Sequence, residues 1–234
     1  MARGLGVPAT IVAPDHAPRA KTDAIERLGG QVILVPFDRW WQAMEQGSYP
    51  GVEGLFVHPV MDEKVMAGNG TIGLELVEDL DGINAVLIPW GGGGLTTGIA
   101  SALRALSPTT KVYACEPETG APVTATLANE GRPLTVDYQA SFVDGSGSKA
   151  LLPTMWERAR PLLAGAFALS LDETAAAVRL LAERARVVAE GAGALAAAAA
   201  VSGRAGTGRI VCIVSGGNID SHRLAAILEG RTPD

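Results

Sequence analysis

The sequence predicts an α/β protein built on twisted parallel β-sheets with helices on both faces, and three observations carry that prediction. Short apolar runs of strand length alternate with segments of helical period through most of the 234 residues. The strand-length runs are continuously apolar rather than alternating, which is the pattern of strands buried on both faces. Two of them end in glycine-rich turns, and in open parallel sheets ligands bind outside the carboxyl ends of the strands.

Taken in order, "ATIVAP" (9–14), "RAKTDAIERLGG" and "QVILVP" (31–36) read as a β-α-β unit. In its helix Ala24, Ile25 and Leu28 share a face, and Gly29 and Gly30 supply the stop signal. Further strands are expected at 55–59, 85–89, 111–117, 166–170 and 209–215, with helices around 71–80, 95–106, 121–129, 172–186, 192–201 and 222–228. Ser170 and Glu173 have the spacing of a capping box. The alanines at 196–200 read as a helix packed closely on all sides. No internal repeat or low-complexity linker interrupts the pattern. The length permits one large domain or two small ones.

Composition narrows the function. At 47% hydrophobic the chain can bury a substantial core. A net charge of -6, with 19 scattered lysines and arginines, argues against a nucleic-acid partner. Cys115 and Cys212 each sit in an apolar run and read as small core residues rather than a disulfide pair, which favours a reducing compartment. Residues 1–14 lack signal-peptide features, and the apolar stretch 191–201 is too short to span a bilayer. A cytoplasmic protein with no membrane partner is expected.

The strongest chemical signal is "PWGGGGLTTGIASAL" (89–103), where a buried strand runs into four glycines and then a helix. Glycine backbone can approach a ligand closely, and a helix N-terminus carries partial positive charge, so the segment describes a phosphate site. A plain strand-to-helix turn needs only one or two glycines. No Lys followed by Ser or Thr closes the loop as in an ATP-binding P-loop. The dinucleotide fingerprint fails where Thr96 or Thr97 stands in place of its last glycine, although Glu116 could imitate the ribose-binding acid. A second glycine turn, "VSGGNID" (214–220), places Ser215 at another strand end, where a turn residue is the simpler alternative. Glu190, before the alanine-rich helix, reads equally as a functional acid or a helix cap. His16, His58 and His222 have no metal-ligand spacing.

The motifs "AGNGTIGLE" (67–75), "PWGGGGLTTGIA" (89–100), "CEPE" (115–118), "VDGSGS" (143–148), "AEGAGA" (189–194) and "VSGGNID" (214–220) occur in one order. As an ordered set they resemble the threonine/serine dehydratases and serine racemases, two-domain pyridoxal-phosphate enzymes of fold type II, over nearly the whole chain. The resemblance implies pyridoxal 5'-phosphate as cofactor, its phosphate on Gly91, Gly92, Gly93, Gly94 and Leu95, and the Ser215 hydroxyl against the ring nitrogen. It places Gly145 near the cofactor, with Ser148 and Glu190 towards the substrate. The implied reaction is β-elimination from a β-hydroxy amino acid such as L-threonine or L-serine, giving a 2-oxo acid and ammonia. The resemblance further implies that 1–60 are the remainder of a small α/β domain and 61–234 the remainder of a large cofactor-binding one, with the cofactor cleft between them, and it admits a homo-oligomer.

The sequence departs from the family in two respects. The family's Schiff-base lysine and its loop for the substrate carboxylate both precede the region that residues 1–14 resemble, and Lys21, Lys64, Lys111 and Lys149 lie in motifs that match other parts of the fold. No catalytic residue is therefore assigned, and residues 1–234 alone are expected to be inactive. Where family members with a cation site carry an acid after the strand-ending glutamate, Glu116 is followed by Pro122 at the matching position, so no metal is expected. Two other functions remain open at this point: a non-catalytic remnant or partial subunit that binds pyridoxal phosphate or an amino acid, and a nicotinamide-binding protein.

Overall fold

Valine, isoleucine and leucine dominate the short runs, and the stiffness of β-branched side chains suits them to strands. A computed structural model describes residues 1–234 in full. It comprises two units, one of residues 1–58 with 218–220 and one of residues 59–217 with 221–234. Nothing in the local pattern of 218–220 marks them as part of the first unit.

In the first unit β1 (Thr10–Pro14) and β2 (Gln31–Val35) pair in parallel, Thr10 opposite Gln31, joined through α1 (Arg19–Arg27). No neighbouring side chain caps α1. The Asp220 carboxylate does so instead, accepting the Ala20 N–H at 3.0 Å, which explains why 218–220 join this unit. The expected helical face is shorter than predicted: Leu28 is the C-cap and is exposed, because Gly29 (φ 83°) ends the helix a residue earlier. α2 (Phe37–Gln46), unmarked by the periodicity analysis, buries Ala43 and Met44 and stops at left-handed Gly47. The strand expected at 55–59 does not form. The segment pairs with no strand, Leu55 and Val57 are exposed, and His58 is instead tied to the Met44 carbonyl at 2.8 Å. An apolar run becomes a strand only where a neighbour completes its hydrogen bonds.

The second unit begins with α3 (Glu63–Asp79), eight residues before its expected start, because the Asp62 carboxylate accepts the Lys64 N–H at 2.8 Å. There follow β3 (Ile83–Pro89), α4 (Gly94–Leu106), β4 (Lys111–Pro117), α5 (Pro122–Ala128), α6 (Pro153–Ala159), β5 (Gly165–Leu169), α7 (Leu171–Leu180), α8 (Gly191–Val201), β6 (Arg209–Cys212) and α9 (Ser221–Leu228). A short π-helical stretch, Leu181–Ala185, extends α7, and α6 was not expected. The capping box at the start of α7 is present: Ser170 Oγ accepts from Glu173 N (3.1 Å) and Glu173 Oε2 accepts from Ser170 N (2.8 Å).

The sheet has the order β5-β4-β3-β6, with every pair parallel. On one face Val86 and Ile88 of β3 pack with Ile99, Ala100 and Leu103 of α4. Ala85 and Leu87 point the other way and are equally buried, and α8 lies across all four strands with residues 191–199 buried. Burying each aliphatic side chain of this core stabilises the fold by about 1.5–3 kcal/mol. β6 is shorter than expected; its ladder closes at Cys212, Ile213 still donates to the Leu87 carbonyl at 3.0 Å, and Val214 and Ser215 are exposed. Both cysteines are free thiols, and burial pushes both upwards from the usual thiol range. No helix is long and apolar enough to cross a membrane.

Candidate functional site

β3 leads through α4 to β4, and β5 is laid beyond β4, whereas β6 returns to the opposite side of β3. The strand order therefore reverses between β3 and β6, which opens a crevice at their carboxyl ends. The two glycine turns singled out in the sequence lead out of these two strands.

In the turn after β3, Gly93 is the N-cap of α4 in a left-handed conformation (φ 92°), and no side chain caps the helix. The first intrahelical bond runs from Thr97 N to Gly93 O (2.8 Å), so the Gly94, Leu95 and Thr96 N–H groups are the unpaired donors of the first turn. Thr96 Oγ1 bonds back to the Pro89 carbonyl at 3.2 Å and anchors that turn to the strand.

Close packing accounts for all four glycines. A Cβ on Gly91 would meet Gly145 O at 3.0 Å, on Gly92 it would meet Val60 Cγ2 at 2.6 Å, on Gly93 Trp90 Cη2 at 2.5 Å, and on Gly94 Val60 O at 2.7 Å. The side-chain directions are thus filled by protein, and the loop is left with backbone N–H groups to offer. An uncapped helix start with no side chain over it fits the phosphate of pyridoxal phosphate.

The turn lies against the loop that carries Gly145 and Ser148. Gly147 N donates to Trp90 O at 3.2 Å, and Ser148 N donates to Gly120 O at 3.2 Å. Ser148 is buried and its hydroxyl donates to Ala150 O at 2.9 Å. Behind Gly145 stand Ala192 and Glu190: a Cβ on Gly145 would lie 2.9 Å from Ala192 Cβ and 3.4 Å from Glu190 Oε1. Glu190 is only 9% exposed and occupies the N-cap position of α8, yet its side chain makes no capping bond. Its N–H donates to Gly216 O at 3.0 Å, which ties it to the turn after β6. The fold thus gathers the segments of Gly91, Gly145, Glu190 and Gly216, far apart in sequence, into one cluster, with Ser215 exposed beside Gly216.

Glu116 cannot serve a nucleotide ribose. It is fully buried, Oε1 accepts Val123 N at 2.9 Å, and Oε2 accepts Thr124 N and Thr124 Oγ1, both at 2.9 Å. Burial pushes its carboxyl up to about 7, against the opposing pull of those three donors. The nicotinamide alternative fails because this acid caps α5. Among the lysines, Lys111 opens β4 at the end away from the glycine turns, Lys64 lies exposed in the first turn of α3, and Lys149 is exposed after Ser148. Sequence analysis missed Trp90 and Val60, which wall the glycine turn; the tryptophan directly before four glycines was the available signal.

An open parallel sheet with an uncapped glycine turn at its switch point defines an α/β protein whose backbone donors suit an anionic group. Residues 1–216 match the sequence model of the pyridoxal-phosphate dependent enzymes, and the chain belongs to that family. It is 38% identical over 226 residues to the L-threonine ammonia-lyase of Thermotoga maritima, covering 95% of this chain and 56% of that protein. It is 35% identical over 236 residues to the catabolic L-threonine dehydratase of Staphylococcus aureus, covering 97% and 67%. Among solved structures it resembles the processed threonine deaminase isoform 2 of Solanum lycopersicum (TM-score 0.79, 31% identity, 97% of this chain and 67% of that one). It likewise resembles a fungal L-serine ammonia-lyase from Rhizomucor miehei (TM-score 0.83, 25% identity, 97% and 76%). The fold is that of the fold type II enzymes. The chain spans little more than half the length of the Thermotoga relative.

Proposed function

We propose that residues 1–234 form the phosphate-holding and ring-holding part of a pyridoxal-phosphate-dependent lyase. Its reaction converts a β-hydroxy amino acid such as L-threonine or L-serine to a 2-oxo acid and ammonia. The uncapped start of α4, walled by Val60, Trp90 and Gly145, is the observation that carries this reading. The names of the relatives support the reaction class. When bound, pyridoxal phosphate supplies an electron sink for the pair released with the substrate's α-proton, which lets the β-hydroxyl depart.

The chain's own residues have separate tasks. Gly91, Gly92, Gly93, Gly94 and Leu95 would hold the phosphate through backbone N–H groups. Ser215 would meet the ring nitrogen with a neutral hydroxyl, which does not hold that nitrogen protonated. By leaving that nitrogen unprotonated, the Ser215 hydroxyl would favour elimination over chemistry that needs a long-lived carbanion. Gly145 would offer backbone contact near the ring, and Glu190, packed behind Gly145, would lie towards the substrate. Ser148 donates its hydroxyl to Ala150 O, which holds the loop, and would keep its acceptor lone pairs for the substrate side. None of the four lysines is assigned as the amine that fixes the cofactor.

The test is a titration with pyridoxal 5'-phosphate and with pyridoxal, which lacks the phosphate, followed by borohydride reduction and peptide mapping. The phosphorylated form should bind more tightly, wash out on dialysis and leave no single lysine labelled. Gly94→Val should abolish the preference, because its side chain would run into Val60. Equal binding of the two compounds would overturn the phosphate site. Release of 2-oxobutanoate from threonine at a normal turnover by residues 1–234 alone would overturn their expected inactivity.

A further inference from the structure

We propose that Trp90 is a positioning residue for the phosphate site, an inference that rests on the reading above. Its indole is the floor on which the glycine turn is built, and it aims the first N–H groups of α4.

Trp90 follows directly on β3 and is 1% exposed. Its backbone is held on both sides: the N–H donates to Cys115 O at 2.8 Å, and the carbonyl accepts from Gly147 N at 3.2 Å. Its side chain is packed in a cluster with Ala114, Val123, Leu151, Trp156 and Ala159. The far edge of the ring reaches under Gly93, where an ideal Cβ would lie 2.5 Å from Cη2, 2.6 Å from Cζ2 and 3.0 Å from Cζ3. Val60 closes the other side, against Gly92 and Gly94.

Four consecutive glycines have more backbone freedom than any other tetrapeptide, and an anion site needs donors that already converge. A flat aromatic ring with two side-chain torsions, wedged in a packed cluster, is a stiff floor. It fixes the level of Gly93, and Gly93 in its left-handed conformation sets the direction of the N–H groups of Gly94 and Leu95. A valine at position 90 would leave space beneath Gly93, into which the turn could sink, and the donors would diverge.

The experiment compares wild type, Trp90→Val and Trp90→Phe in two measurements. The first is the ratio of affinities for pyridoxal 5'-phosphate and pyridoxal; the second is the amide spectrum of protein carrying nitrogen-labelled glycine, without ligand. Trp90→Val should lower the affinity ratio by roughly tenfold or more, the effect of losing a hydrogen bond to a charged group, and leave pyridoxal affinity unchanged. It should also move the amide signals of Gly91, Gly92, Gly93 and Gly94. Trp90→Phe, whose shorter ring does not reach as far under Gly93, should give a smaller change in the same direction, and it carries both measurements if the valine variant does not fold.

An unchanged affinity ratio, or glycine signals that stay in place, overturns the inference. A general loss of stability would lower both affinities together and would also overturn it. If wild type shows no preference for the phosphorylated compound, the site reading fails, while the ligand-free glycine signals still decide whether Trp90 sets the turn.

Discussion

The carboxylate of Glu190 occupies the place where a side chain on Gly216 would begin: a Cβ there would meet Oε1 at 2.5 Å and Cδ at 3.2 Å. The turn after β6 and the start of α8 are thus fitted to each other around one acid. Their backbones are fitted too, since a Cβ on Gly193 would run into the Gly216 carbonyl oxygen.

These two contacts predict unequal costs. In Gly216→Ala the new methyl meets the end of a flexible side chain, which can swing away, and the loss of stability should be about 1 kcal/mol. In Gly193→Ala it meets backbone, and the loss should approach about 3 kcal/mol. Denaturant unfolding of both variants measures the difference, and equal losses would show that Glu190 is as immobile as the main chain.

Glu116 predicts a pH dependence of stability. Its carboxyl titrates near 4.5 when free and at about 7 when buried in the fold, so between those values the folded state holds a proton that the unfolded state has lost. Stability from this group is therefore complete below pH 4.5 and is lost as pH rises through 7. The span is on the order of 3 kcal/mol. Glu116→Gln does not titrate, so the stability advantage of wild type over this variant should shrink across that window; a constant difference would contradict the burial argument.

The capping box at α7 makes a simpler prediction. Ser170→Ala removes the acceptor for Glu173 N and should cost about 1 kcal/mol, whereas Ser170→Asp keeps an acceptor and should restore most of it. Thermal unfolding midpoints of the two variants provide the check. No recovery with aspartate would mean that the cap contributes little there.

The legible parts of the fold were those written in short stretches. The strands at 10–14, 31–35, 83–89, 111–117 and 165–169 announce themselves as apolar runs closed by Pro or Ser. The helix starting at Leu171 is announced by Ser170 and Glu173. Less legible was α3, where Gly68, Gly70 and Gly73 argue against a helix in isolation. Gly70 and Gly73 are tolerated because α4 packs there so closely that a Cβ on Gly70 would sit 3.2 Å from the Gly98 carbonyl oxygen and one on Gly73 2.8 Å from Ala102 Cβ, whereas Gly68 faces open space. The run at 55–59 has the composition of a strand, yet no neighbouring strand pairs with it.

By itself the sequence determined the alternation of parallel strands and helices and the two glycine turns at strand ends. Each follows from the chemistry of a few adjacent residues. Only the tertiary structure decided that Glu116 spends both oxygens on α5, that Asp220 caps α1, that Glu190 stands between Gly145 and Gly216, and that Val60 and Trp90 wall the glycine turn. Those relations join residues that are distant along the chain or set by packing around them. Backbone donors and close contacts of this kind acquire partners only when folding brings the segments within a few ångströms.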